Sequence, residues 1–290
     1  MNAPYPNSRI LVETDWLAAH LHEPDLRLVD CNVRMTVKPE GGYEIAKGRD
    51  DWARAHIPGA DFIDLVEELS APHPRLRFMM PSAEQFAAVV GAHGIGNRHR
   101  VVLYSAGLNY WATRLLLMFR AMGHDAVQVL NGGWDKWTLE RRPTSQEAPL
   151  HPPERFVPHP RPGQIVGKDE VRAALGDPRT CLINALSPDV FSGRKVQYGR
   201  PGHIPGSRNV YAADLIDPVT KTFRPAEELR ARLAAAGALD AERVITYCGG
   251  GISATTDSFA LLLLGYDNVA LYDGSMTEWG PDASLPMATA

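Results

Sequence analysis

The chain has 290 residues, 44% of them hydrophobic and 22% charged, which is enough apolar material for two domains of ordinary size. A formal net charge of −4 excludes the basic footprint that nucleic acid or an anionic membrane surface requires. The longest apolar run, 259–264, is far too short to span a bilayer, and the opening Met-Asn-Ala-Pro-Tyr-Pro lacks the pattern of a signal peptide. Cys31, Cys181 and Cys248 form neither a disulfide frame nor, with histidine, a zinc pattern, so no metal is expected and a reducing cytoplasm fits.

In chain order, short β-rich apolar runs alternate with helical patterns. Strands are predicted at 27–29, 60–63, 101–104 and 127–130. A helix is predicted to open at Ser82, with Gln85 closing a capping box. Residues 143–163 then carry Pro143, Pro149, Pro152, Pro153, Pro158, Pro160 and Pro162, which forbid a helix or a central strand and predict a stiff, extended connector. Beyond it, strands are predicted at 181–184, 207–210, 244–247 and 269–272, with a helix opening at Pro225-Ala226-Glu227-Glu228. This alternation predicts an α/β fold of mainly parallel sheets with helices on both faces.

The order of segments repeats. Ala55-His56-Ile57-Pro58-Gly59 recurs as Gly202-His203-Ile204-Pro205-Gly206, Val101-Val102-Leu103-Tyr104 as Val244-Ile245-Thr246-Tyr247, and Asn131 to Trp137 as Asp273 to Trp279. The copies stand between 142 residues (Asn131 to Asp273) and 147 residues (His56 to His203) apart. That period is far longer than solenoid repeats use and indicates duplication of a whole domain. The boundaries follow: a first domain at 1–142, a linker at 143–163 and a second domain at 164–290. Trp134, Trp137 and Trp279 read as packing anchors, and Cys31 and Cys181, on or beside strands, as inert.

Cys248 is the chemical focus. An apolar strand delivers it into Cys248-Gly249-Gly250-Gly251-Ile252-Ser253, a turn that opens onto a long apolar helix. Glycines there can curl successive backbone N–H groups round toward the sulfur, and the helix N-terminus adds to the same field. Such a setting is expected to favour the thiolate near neutrality. Ser253 is expected to cap the helix through its side chain. In the first copy Ser105 stands opposite Cys248 and is followed by Ala106-Gly107-Leu108-Asn109, so that copy is expected to be non-catalytic and to wall the cleft. Arg194 and Arg200, in a glycine-rich polar loop, are the candidate anion clamps, because a planar guanidinium matches a carboxylate or sulfonate. A cysteine phosphatase is disfavoured, since Ala254 stands where its arginine belongs.

With these features the whole chain resembles a two-domain sulfurtransferase of the rhodanese family. The shared motifs are the duplicated His-Ile-Pro-Gly segments, the Asp273-Gly274-Ser275 to Glu278-Trp279 segment, the degenerate first copy and the Cys248–Ser253 loop. The resemblance implies two tandem rhodanese-like domains and no cofactor. It also implies a Cys248 persulfide that carries a sulfane sulfur from a small anionic donor to cyanide, a thiol or a thioredoxin-like protein. Gly249 and Gly250 match relatives that prefer 3-mercaptopyruvate over thiosulfate, and His56 with Asp50 or Asp51 matches a proposed proton relay; His203 reads as structural. The chain departs from the pattern at Gly250, often a hydroxyl residue, at Asn184-Ala185-Leu186, often Asp-Ala-Arg, and at Val190, near an expected arginine. The alternative is a sulfur-relay or binding module that serves a protein partner without small-molecule turnover.

Overall fold

Two five-stranded parallel sheets, one in each half of the chain, organise the computed structural model, which describes residues 4–37 and 43–290. The first half runs β1 (Leu11–Val12), α1 (Thr14–His20), β2 (Leu26–Asp30), β3 (Val33–Val37), β4 (Tyr43–Lys47), α2 (Arg49–Arg54), β5 (Ala60–Phe62), α3 (Ala83–Ala92), β6 (Arg100–Tyr104), α4 (Tyr110–Ala121), β7 (Val127–Leu130) and α5 (Gly133–Leu139). The second runs β8 (Ile165–Val166), α6 (Lys168–Ala173), β9 (Thr180–Asn184), α7 (Pro188–Phe191), β10 (Arg208–Asn209), α8 (Ala226–Ala235), β11 (Arg243–Tyr247), α9 (Ala254–Leu263), β12 (Val269–Tyr272) and α10 (Ser275–Trp279). The strand orders, β1-β7-β6-β2-β5 and β8-β12-β11-β9-β10, are equivalent. The eight predicted strands are all present, while β1, β8 and the antiparallel pair β3–β4 were not foreseen; β3–β4 has no counterpart in the second sheet.

The repeated motifs are explained by repeated contacts. The hydroxyl of Tyr104, at the end of β6, accepts the N–H of Ile57 at 3.2 Å, and that of Tyr247, at the end of β11, accepts the N–H of Ile204 at 3.1 Å. His56 pairs through its backbone with Ser145, and His203 with Ala288. Trp137 and Trp279 are fully buried, and their indoles donate to the carbonyls of Pro143 and Pro286. Each His-Ile-Pro-Gly turn is thus locked to its own sheet and to the chain that leaves its domain, and the two tryptophan-bearing repeats anchor packing through Trp137 and Trp279.

The proline-rich segment runs along the first half of the molecule. Glu154 N–H donates to Gly91, His159 N–H to Met122 and Arg161 N–H to Ala121, and Phe156 is buried against Phe86 and Phe119. Ser82 accepts the N–H of Gln85 at 3.1 Å and so caps α3, but the Gln85 amide turns to the carbonyls of Glu68 and Ser70, so the capping box is half formed.

The equivalent helices α4 and α9 pack on each other and join the two halves. Thr113 and Thr255 share a hydrogen bond of 2.7 Å, and apolar residues of both helices belong to one core. Every residue of α9 is buried, which accounts for its apolar run. Among the described residues no helix is long and apolar enough to cross a membrane.

Candidate functional site

Strand β11 ends at Tyr247 and α9 begins at Ala254, so the loop between them presents Cys248 at the helix N-terminus, with only 2% of the residue exposed. Helix α10 shapes that loop. The Ser275 hydroxyl accepts the Cys248 N–H at 3.1 Å while donating to Tyr272, and Ser275 takes a left-handed φ of 49° to do so. The N–H groups of Met276 and Thr277 hold the carbonyls of Cys248 and Gly249, and the Thr277 hydroxyl adds a 2.6 Å bond to the latter. With those carbonyls tied back, the N–H groups of Gly249, Gly250, Gly251, Ile252 and Ser253 find no acceptor among the described residues. They form a cradle of backbone donors beside a sulfur, the arrangement that stabilises an anion.

The three glycines serve different ends. Gly251 alone has a positive φ, +73°, and a Cβ there would meet the Asp273 carbonyl at 2.7 Å. At Gly249 a Cβ would collide with the Tyr198 hydroxyl, whereas at Gly250 it would enter open space. Ser253 makes no side-chain cap to α9, contrary to expectation, because its backbone is already helical (φ −61°) where a capping residue is extended; it lines the cavity instead.

The equivalent loop of the first copy has part of its donor set consumed, at the counterparts of Cys248, Gly249 and Gly250. Asn109 accepts the N–H of Ser105 at 2.8 Å, Asn32 that of Ala106 at 3.3 Å, and Asp135 that of Gly107 at 2.7 Å. Asp135 occupies the repeat position of Thr277. A carboxylate stands where the second copy has a hydroxyl, so the protein itself takes the first two donors of that cradle, Ala106 and Gly107. The two copies therefore differ at this loop by more than the serine in place of cysteine.

Cys248 opens into a cavity of about 650 Å³ between the two halves. The second half supplies Leu186, Tyr198, the Cys248 loop and Thr277, and the first supplies β3 and β4, residues 75–78 and the start of α4. Arg75 and Arg77 are the cavity's cations and no carboxylate lines it among the described residues. A fully buried ion pair holds residues 75–78 in place. Arg114 of α4 meets Asp273 at 2.6 Å and donates to the carbonyls of Phe78 and Gly251, while Asp273 accepts the N–H of Met80 at 2.6 Å. The same pair therefore fixes the cysteine loop and the arginine-bearing segment that faces it.

The other expected site residues lie elsewhere. Arg194 is exposed and paired with Asp189 at 2.7 Å, and Arg200 spends its guanidinium on the carbonyls of Trp279, Gly280, Asp282 and Leu285. Neither lines the cavity, because the glycine-rich loop that carries them folds against the C-terminal segment. His56 is fully buried, stacked on Trp52, with ring nitrogens 2.7 Å and 3.1 Å from the carbonyls of Trp52 and Glu147; Asp50 is exposed on α2, and Asp51 pairs with Arg54 and Arg34. None of the three lines the cavity. His203 stacks on Phe191 and bonds its carbonyl. Burial pushes the Cys31 and Cys181 thiols above their ordinary value, which keeps them protonated and unreactive.

Two neighbours of the cysteine carry no motif. Tyr110 lines the cavity, and burial holds its phenol well above the ordinary value, so it remains a hydrogen-bond donor. Asp257, one turn into α9, is wholly buried with neither carboxyl oxygen hydrogen-bonded; burial, then the charge of Cys248, pushes its carboxyl well above the usual range.

The chain's similarities agree with this geometry. The Rhodanese-like domain family matches twice, over residues 13–140 and 168–282. The chain is 33% identical over 297 residues to the sulfur carrier protein TtuD of Thermus thermophilus, covering 98% of each chain. It is also 33% identical to thiosulfate/3-mercaptopyruvate sulfurtransferase 2 of Arabidopsis thaliana, covering 98% of this chain and 88% of that one. Among solved structures, SseA from Escherichia coli, described with the catalytic mechanism of 3-mercaptopyruvate sulfotransferases, superposes with a TM-score of 0.81 at 28% identity, covering 92% and 98% of the two chains. By its two matched domains and its full-length relatives, the chain belongs to the rhodanese-like family, as a two-domain sulfurtransferase.

Proposed function

We propose that Cys248 takes a sulfane sulfur from 3-mercaptopyruvate or thiosulfate, holds it as a persulfide and passes it to cyanide or a thiol. The observation that carries this reading is the cradle of N–H groups, residues 249–253, around a cysteine that opens into a cavity lined, among the described residues, by arginines and no carboxylate. The Cys248 thiolate attacks the outer sulfur of the donor. With thiosulfate the S–S bond breaks and its electron pair leaves on sulfite; with 3-mercaptopyruvate the S–C bond breaks and its pair leaves on carbon as the enolate, which takes a proton to become pyruvate. Arg75 and Arg77 attract the donor's anionic end, and the cradle holds the outer sulfur of the persulfide. Each well-placed donor of this kind contributes on the order of 3 kcal/mol in comparable sites. No cofactor takes part in these steps. A reducing compartment such as the cytoplasm keeps the thiols unpaired.

Likeness to TtuD favours a second reading, in which the persulfide is handed to a protein partner, with a thioredoxin-like thiol as one candidate. The test is kcat/KM for both donors side by side, with mass spectrometry of the Cys248 peptide. Turnover and one added sulfur atom on Cys248, both abolished in Cys248→Ser, are expected. Absence of turnover with either donor refutes the small-molecule reading, and substantial turnover in Cys248→Ser refutes the nucleophile.

A further inference from the structure

The donors considered above are small, and the cavity is not. A volume of about 650 Å³ lies in the range that encloses drug-sized ligands, far beyond a three-carbon oxo acid. The wall contributed by the first domain is apolar: Val33 and Met35 from β3, Ile45 from β4, Leu108, Phe78 and Trp111. Phe78 and Trp111 meet edge to face with centroids 5.0 Å apart, which makes part of that wall rigid. Charge enters through the first domain too, at Arg75 and Arg77, both exposed and with no ion pair among the described residues. A site that handled inorganic anions alone would gain nothing from a wetted apolar wall, which is unfavourable when left uncovered.

We infer that the sulfur acceptor is an organic thiol with an apolar body of aromatic size and a carboxylate, its body against the first-domain wall and its anion at Arg75 and Arg77. This rests on sulfur transfer through Cys248 as proposed above. The acceptor thiolate attacks the outer sulfur of the Cys248 persulfide. The bond from that sulfur to Sγ breaks with its electron pair left on Sγ, and a new S–S bond forms to the acceptor. The proton stays on the transferred sulfur. The acceptor leaves as its own persulfide, Cys248 returns as thiolate, and no outside oxidant is consumed.

A matched pair of acceptors tests this: 2-mercaptopropanoate and 2-mercapto-3-phenylpropanoate, which share thiol and carboxylate and differ by the phenyl ring. Each is assayed for kcat/KM as acceptor and, independently of turnover, for protection of Cys248 against iodoacetamide. The phenyl group is expected to improve both readouts by about 10- to 100-fold, the value of burying a phenyl ring. Met35→Ser with Ile45→Ser should shrink that ratio. Arg77→Gln should weaken both compounds by about two- to fivefold and leave the ratio standing, as expected for an exposed ion pair. A ratio near one in both readouts overturns the inference, as does efficient transfer to a thioredoxin-like protein with equal, poor use of the two thiols. Failure of every donor would instead overturn sulfur transfer itself, and the protection ratio would still decide what the cavity binds.

Discussion

Removing one partner of the Arg114–Asp273 pair should cost more than any other single polar change in the molecule. The two side chains are 2% and 5% exposed and meet at 2.6 Å, so neither charge has water to fall back on. In Arg114→Met the Asp273 carboxylate keeps the N–H of Met80, while the carbonyls of Phe78 and Gly251 lose their guanidinium donor. Breaking a buried pair by deleting one member costs about 3–5 kcal/mol, a large share of the roughly 5–15 kcal/mol that holds a domain folded. In the double variant Arg114→Met with Asp273→Asn the stranded charge is gone, so much of that loss should return.

Urea unfolding of the four members of the cycle measures this, provided the slope of each transition is compared before midpoints are converted to energies. A coupling of at least about 1 kcal/mol is expected, since residues in one network fail to add by that much or more. The pair also sets the distance between the Cys248 loop and residues 75–78. The single variants should therefore lose kcat/KM under conditions where they remain fully folded, chiefly through a higher KM for anionic donors. A loss below about 1 kcal/mol in Arg114→Met, or strict additivity in the cycle, would refute the claim that this pair joins the two halves of the site.

Two further outcomes follow from the same geometry. For Asp257 the folded carboxyl is held protonated above the ordinary 3.8 by burial, while the unfolded chain releases that proton. The folded state is therefore unpenalised at low pH and loses about 1.4 kcal/mol per pH unit from 3.8 upward until the folded carboxyl ionises. Asp257→Asn lacks that slope, so its stability relative to wild type should rise as the pH rises above about 4; a difference independent of pH in urea titrations would count against a buried neutral acid. Asp30, pushed up to about 7 by burial, slopes the same way and cancels in the comparison. In the first copy, Ser105→Cys placed on a Cys248→Ser background should not restore turnover, because Asn32 and Asp135 already occupy the N–H groups of Ala106 and Gly107, the counterparts of Gly249 and Gly250. Restored activity would show that the nucleophile alone distinguishes the copies.

How far the sequence disclosed this site depended on whether the signal was local. The Cys248 loop was legible because strand, glycine turn and helix are contiguous, and the duplicated sheets were legible because each His-Ile-Pro-Gly segment and each strand-end tyrosine answers to a partner one domain away. The anion site was not. The cysteine's own copy offers Arg194 and Arg200, which the fold spends on Asp189 and on carbonyls of the C-terminal segment. The cavity's arginines come from the other copy, in Pro74-Arg75-Leu76-Arg77-Phe78, where an alternating basic and apolar run just before the Ser82 cap was the available clue. The β3–β4 pair was hidden for a related reason: Val33, Met35 and Ile45 alternate with polar residues as a strand should, but the second copy has no equivalent, and a reading organised by the repeat passes over what only one copy contains. Those unrepeated elements build the wall that Cys248 faces. Duplicated segments specify the scaffold and, in one copy, the proposed nucleophile; what the cavity beside it can admit is written where the two copies differ.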